Sequence, residues 1–208
     1  MVLNSLLNNL DAILGRITAS HLRRYQSLQA DLQTKDVASD EAYQRTFNGF
    51  YKMQRRTREW YAYYFALLQR EKNNKSITFA HVLEKIHAEQ KRVEPSFTSK
   101  LVATIRPEMP VYDRLVRDNL SLEVPAQYRP AHQRVRELGR MYAILEGKIN
   151  ALIADPIFTT MLRPAFDKKW PAYADFSDAK KLDFLLWQFR PQNAQLGPEA
   201  ITAHVSRS

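Results

Sequence analysis

Apolar residues recur at three- and four-residue intervals along most of this chain, and no pair of alternating runs flanks a tight turn. Leu7, Leu10, Leu14, Ile17, Leu22, Tyr25, Leu28 and Leu32 make one such face, which predicts a helix from about Leu3 to Leu32 with a break near Ser20. A polar linker, Gln33 to Ala38, leads to a second helix capped by Ser39 or Asp40. That helix carries Tyr43, Phe47, Phe50 and Tyr51; the stripe runs through Asn48-Gly49, so the pair is assigned to a helix and not to a hairpin turn. Thr57 can cap a third helix, Arg58 to Arg70, with Trp60, Tyr61, Tyr64, Phe65 and Leu68 facing inward. Thr78 starts a fourth, holding Phe79, Val82, Leu83 and Ile86.

Prolines punctuate the second half. Pro95 precedes a short amphipathic helix ending at Ile105, stopped by Pro107 and Pro110, and Tyr112 to Leu120 forms another. After a loop with Pro125 and Pro130, a long helix is predicted from about Ala131 to Ala154. Pro164 should kink or break the segment Ile157–Phe166. Ser177 or Asp178 caps the last helix, whose Leu182, Phe184, Leu185, Leu186 and Trp187 wrap most of its circumference, so it should be buried nearly all round, Trp187 included. The expected fold is all-α, a compact multi-helix domain over 1–190. It comprises a long N-terminal helical part, 1–92, and a second part, 93–190, followed by a polar tail, 191–208.

Composition sharpens this picture. Five glycines and no cysteine exclude a P-loop, a dinucleotide fingerprint, a disulfide framework and thiolate metal sites. The five histidines are scattered: His81 and His87 share no helix face, and His21, His132 and His204 stand alone, so neither metal nor cofactor is expected. The N-terminus lacks a basic region and a cleavage site, and no apolar run is long enough to span a membrane, which predicts a soluble, cytoplasmic protein.

Charge carries the first functional hint. Lys and Arg number 31 against 22 Asp and Glu, a net charge of +9. Arg45, Lys52, Arg55, Arg56 and Arg58 form a strip with no acid before Glu59, interleaved with Phe47, Phe50, Tyr51, Trp60 and Tyr61. Such a strip suits nucleic acid, since guanidinium groups hold phosphates and rings can stack on bases. The alternative is a solvated basic face over an aromatic core. A second basic group, Arg129, Arg134, Arg136, Arg140 and Lys148, is partly neutralised by Glu137 and Glu146.

The segment Glu94 to Leu122 carries the candidate chemistry. Asp113 follows a proline-bounded turn and stands where it caps the helix after it. Lys100 lies in the first turn of the preceding helix beside Phe97, where a lowered pKa would suit an amine nucleophile. The run M-P-V-Y-D-x-x-V-R-x-N-L resembles the segment that holds the catalytic aspartate in helix-hairpin-helix DNA glycosylases. The preceding S-K-L-V-A-T-I is similar to the helix on which bifunctional members keep their lysine. The closing A-K-K-L-D-F-L-L-W-Q-F resembles the last helix of bacterial members with the 8-oxoguanine-glycosylase-like fold.

The resemblance implies Asp113 as the catalytic carboxylate and Lys100 as the lysine, acting on a base flipped out of the duplex. It covers about thirty residues well and the last helix loosely, and leaves 1–92 without a motif. The family's glycine-rich hairpin turn is missing, because Val93 to Phe97 contains no glycine; Ser96 and Ser99, with the N–H groups of their helix start, are the candidates to replace it as phosphate ligands. Trp60, Tyr64, Trp170 and Trp187 are candidate pocket walls. The expected function is that of a DNA-binding, glycosylase-like protein, with or without lyase activity, RNA remaining an open partner. The alternatives are a noncatalytic nucleic-acid binder and a helical protein-interaction module, in which Asp113 is a structural cap and Lys100 a surface charge.

Overall fold

The computed structural model describes residues 2–123, 126 and 129–190, and among them there are helices and no strands. The predicted first helix is three: α1 (Val2–Asn8), α2 (Leu10–Arg16) and α3 (Ala19–Thr34). The chain turns at Asn9 and again at the two extended residues Ile17 and Thr18, where the Thr18 hydroxyl accepts the His21 N–H and restarts the helix. The cap lies two residues before Ser20, because Thr18, β-branched and extended, can accept that N–H. The breaks let Leu6, Ile13, Leu22 and Tyr25 all turn into one core.

Side-chain caps fix the next starts as the sequence expects. Asp40 accepts the Tyr43 N–H at the head of α4 (Glu41–Phe50), Thr57 the Trp60 N–H at α5 (Arg58–Glu71), and Thr78 the His81 N–H at α6 (Phe79–Gln90). Then come α7 (Pro95–Ile105), α8 (Arg114–Asn119) and α9 (Ala131–Ala154). At the predicted Pro164 kink, a π-helical turn, Phe158–Leu162, runs into α10 (Arg163–Lys169) with the proline in its first turn. The widened turn accommodates a residue that has no N–H and whose ring crowds the carbonyl four residues back. A short 3₁₀ turn, Pro171–Tyr173, leads to α11 (Asp178–Gln188), capped by Ser177. The tail expected over 191–208 lies outside the described residues.

Two helices lie deepest. α7 is not amphipathic: every residue from Thr98 to Ile105 is buried. Its threonine hydroxyls are satisfied on the backbone one turn back, Thr98 donating to the Glu94 carbonyl at 2.8 Å and Thr104 to the Lys100 carbonyl at 2.7 Å. This is how a polar run can enter a core, since an unpaired buried hydroxyl is costly. α11 packs against α2, α8, α9 and α10, with Leu182, Phe184, Leu185 and Leu186 buried as predicted. One apolar cluster runs from Leu3 to Phe189 and joins both parts of the chain. Among the described residues, no helix is long and apolar enough to cross a membrane.

Candidate functional site

The stretch between α7 and α8 sets the site. Arg106 donates to the Ile77 carbonyl, and Tyr142, stacked on Phe79 at 4.0 Å, donates its hydroxyl to the Pro110 carbonyl. The Ser99 hydroxyl accepts the Tyr112 N–H at 2.9 Å while donating to the Ser96 carbonyl. The segment is thereby folded back along α7, and Asp113 arrives beside Lys100.

Lys100 and Asp113 line one small cavity, of about 30 Å³, with Phe50, Tyr51, Val111, Asp183, Phe184 and Trp187. The Lys100 side chain is 8% exposed and its ammonium lies 5.4 Å from the Phe97 ring. Burial pulls its pKa below the usual 10.5, against the attraction of Asp113 and Asp183. Burial likewise raises the Asp113 pKa above 3.8, reinforced by repulsion from Asp183 and opposed by the Val116 N–H and by Lys100. Asp113 also caps α8, its Oδ1 accepting the Val116 N–H at 2.9 Å.

Beneath the cavity lies a charged pair that the motifs did not reveal. Lys180 is 1% exposed, its Nζ 2.8 Å from Asp183 and 4.8 Å from the Tyr25 ring. Burial opposes the ammonium, but the Asp183 carboxylate together with Tyr51 and Tyr25 more than offsets this, and the net pKa lies above 10.5. Lys181, also buried, pairs with Asp167 at 2.8 Å. A signal existed in the sequence: charged residues on a helix apolar nearly all round must be paired, and Lys180 and Asp183 stand three apart on one face.

The other site candidates separate. Arg56 is held inward, 2.8 Å from Glu94 and over the Phe97 and Trp60 rings. Arg45 pairs with Glu41 on the surface. Lys52, Arg55 and Arg58 are exposed with no carboxylate in ion-pair distance among the described residues. Ser96 is half-buried, but Ser99 is fully buried, so its hydroxyl anchors Tyr112 and does not reach a phosphate. Trp60 and Tyr64 are core residues stacked at 5.2 Å, and Trp170 is half-buried away from the cavity.

Of the four proposed walls, Trp187 alone lines the cavity, and it is half-buried, not enclosed as predicted. It is the residue where the buried helix meets the mouth of the cavity. Trp187→Ala is therefore expected to cost on the order of 1–2 kcal/mol, against the ~3–5 of a fully enclosed aromatic. Urea denaturation measures this, and a loss in the higher range would show the ring enclosed in solution.

A larger hollow, about 580 Å³, runs along α9 beside Arg129, Glu137, Arg140, Ile144 and Lys148. It contains neither Lys100 nor Asp113, and Arg129 is already paired with Glu137. Among the described residues no cluster of His, Asp and Glu is placed to hold a metal ion. No protein-family model, curated protein or solved structure matches this chain.

Proposed function

We propose that the protein binds duplex DNA and excises a modified base, with Lys100 as amine nucleophile and Asp113 as the carboxylate that faces the sugar. The observation that supports this most is the meeting of the two residues in one cavity. There, burial favours the neutral amine that a nucleophile needs, while Asp113 is positioned against positive charge developing nearby.

In this chemistry the Lys100 lone pair forms a bond to C1′ as the glycosidic C–N bond breaks. The bonding electrons leave with the base, which takes up a proton. Loss of one proton from the lysine nitrogen and opening of the sugar ring, its oxygen taking a proton, then give a Schiff base. Asp113 contributes by stabilising the cationic sugar in the transition state. A cavity of about 30 Å³ is far below the ~300 Å³ at which ligand sites begin. Admission of a base thus requires Trp187 to move.

A second reading, a noncatalytic binder that retains the scaffold, is favoured by one observation: Asp113 already serves as the cap of α8. Asp113→Asn separates the two, because asparagine caps a helix as well as aspartate and removes only the charge. Wild-type protein should release a base from at least one lesion in a panel of damaged duplexes. Asp113→Asn should slow that release by about 10²–10³-fold while leaving DNA affinity nearly unchanged. Release at the wild-type rate by the variant would remove Asp113 from the chemistry, and no release by either protein would leave the noncatalytic reading.

A further inference from the structure

The rim of the cavity is cationic in a way the sequence strip did not indicate. The Lys52 ammonium sits 4.7 Å from the centre of the Trp187 ring. His21 meets the same ring edge-on at 6.3 Å. Arg16 donates to the carbonyl of Gln188, the next residue, at 3.0 Å. Arg24 and Lys52 both act on His21, adding to burial in holding its pKa below 6.5, so the imidazole between them is neutral and adds no repulsion.

Arg16, Arg24 and Lys52 have no carboxylate in ion-pair distance among the described residues. Arg45, Arg56, Arg92, Arg106, Arg129 and Arg163 are each bound to an acid, whereas Arg55 and Arg58 of the strip, like the rim cations, are not. Two unneutralised cations, Arg16 of α2 and Lys52 of the α4–α5 loop, therefore gather at the one half-buried tryptophan that borders Lys100 and Asp113, and Arg24 of α3 is near enough to act on His21, which packs against the same ring.

The backbone reinforces this placement. Lys52 has φ 52°, just after the end of α4, where the Met53 N–H returns to the Asn48 carbonyl at 2.9 Å. That left-handed position favours glycine. A lysine there, with Arg55 also at φ 62°, is a local strain beside the candidate site.

We propose that Arg16, Arg24 and Lys52 form the seat for the phosphodiester backbone of duplex DNA, with Trp187 as the plate between that seat and the cavity. The proposal rests on the nucleic-acid part of the function above and not on its catalytic part. Phosphates bound here fix the strand beside the cavity, and a phosphate that draws Lys52 away frees Trp187 to move.

The test compares two triple variants that each remove three positive charges, Arg16→Gln/Arg24→Gln/Lys52→Gly at the rim and Arg45→Gln/Arg55→Gln/Arg58→Gln along the strip. Each binds a fluorescent duplex carrying a central abasic-site analogue across a salt series, with thermal melting as a check on folding. The rim variant should bind at least about tenfold more weakly at low salt, and its plot of log K against log salt should flatten by about 0.9 per lost contact. Lys52→Gly alone, which places glycine at the left-handed position and so keeps the fold, should lose the slope of one contact. Equal affinity and slope for rim variant and wild type, or the loss falling on the strip variant instead, would overturn the seat. Wild-type protein that fails to bind the duplex overturns both the seat and the nucleic-acid reading. A rim effect in a protein that releases no base leaves the seat standing and removes only the catalysis.

Discussion

Asp183→Ala should lower the free energy of unfolding by about 3–5 kcal/mol, because it leaves the Lys180 ammonium buried without a counter-charge. The two partners are unequally enclosed, with Lys180 side-chain exposure at 1% and Asp183 at 20%. The reverse change, Lys180→Met, leaves a carboxylate that still reaches solvent, and is expected to cost less, about 1–2 kcal/mol. The double variant Lys180→Met/Asp183→Ala should recover most of the loss, since a buried pair replaced by apolar groups is often neutral. The sign with pH follows from the raised lysine pKa. A raised pKa makes the ammonium's contribution complete below 10.5, with loss only as pH climbs toward the higher folded value. In Asp183→Ala the unpaired buried ammonium is instead pushed below 10.5 by desolvation. The deficit should therefore shrink as pH rises from neutral toward 10.5, and go on shrinking above it as the wild type loses the contribution of its pair. Urea titrations at a series of pH values measure this. A loss under about 1 kcal/mol at neutral pH would show the ammonium already solvated.

The pair also shows where the sequence stopped being readable. Helix starts were legible because a single side chain near each start, Asp40, Thr57, Thr78, Asp113 or Ser177, accepts a backbone N–H locally. The buried face of α11 was legible for the same reason of locality, since four apolar residues in five positions leave the helix no polar side. The meeting of Lys100 and Asp113 could be anticipated from their neighbouring helices, yet its cause could not. It depends on Tyr142 of distant α9 and on the Ile77 carbonyl just before α6, which Arg106 of the connection reaches, contacts that no local pattern encodes.

The surroundings of each cation in the basic strip were not legible for a related reason. Arg56 looks like its neighbours in sequence and is drawn inward by Glu94, 38 residues away. Conversely, Arg16 and Arg24 stand in a segment with no motif, and only the fold carries Arg16 to the residue after Trp187 and Arg24 into reach of His21. Net charge announced a cationic protein but not which cations lack a partner.

Lys100→Gln should reduce borohydride trapping of the protein on lesion-bearing duplex to background, while changing affinity for the same duplex little. The amine must be neutral to attack, and burial has moved its pKa below 10.5, so the yield of trapped complex should climb with pH along a limb displaced below that value. Asp113 must be ionised, and burial has moved its pKa above 3.8, so base release should fall away on acidification at a higher pH than an exposed aspartate gives. Asp183 acts on both groups in the same sense: its charge raises the pKa of Lys100 and of Asp113. Asp183→Asn, which keeps an acceptor for Lys180, should therefore shift both limbs to lower pH together. A purely structural role for Asp183 would lower activity without moving either limb. Trapping that persists in Lys100→Gln would assign the nucleophile to another amine. Base release without any trapped adduct in the wild type would transfer the attack to a water activated by Asp113, with Lys100 then acting through its charge alone.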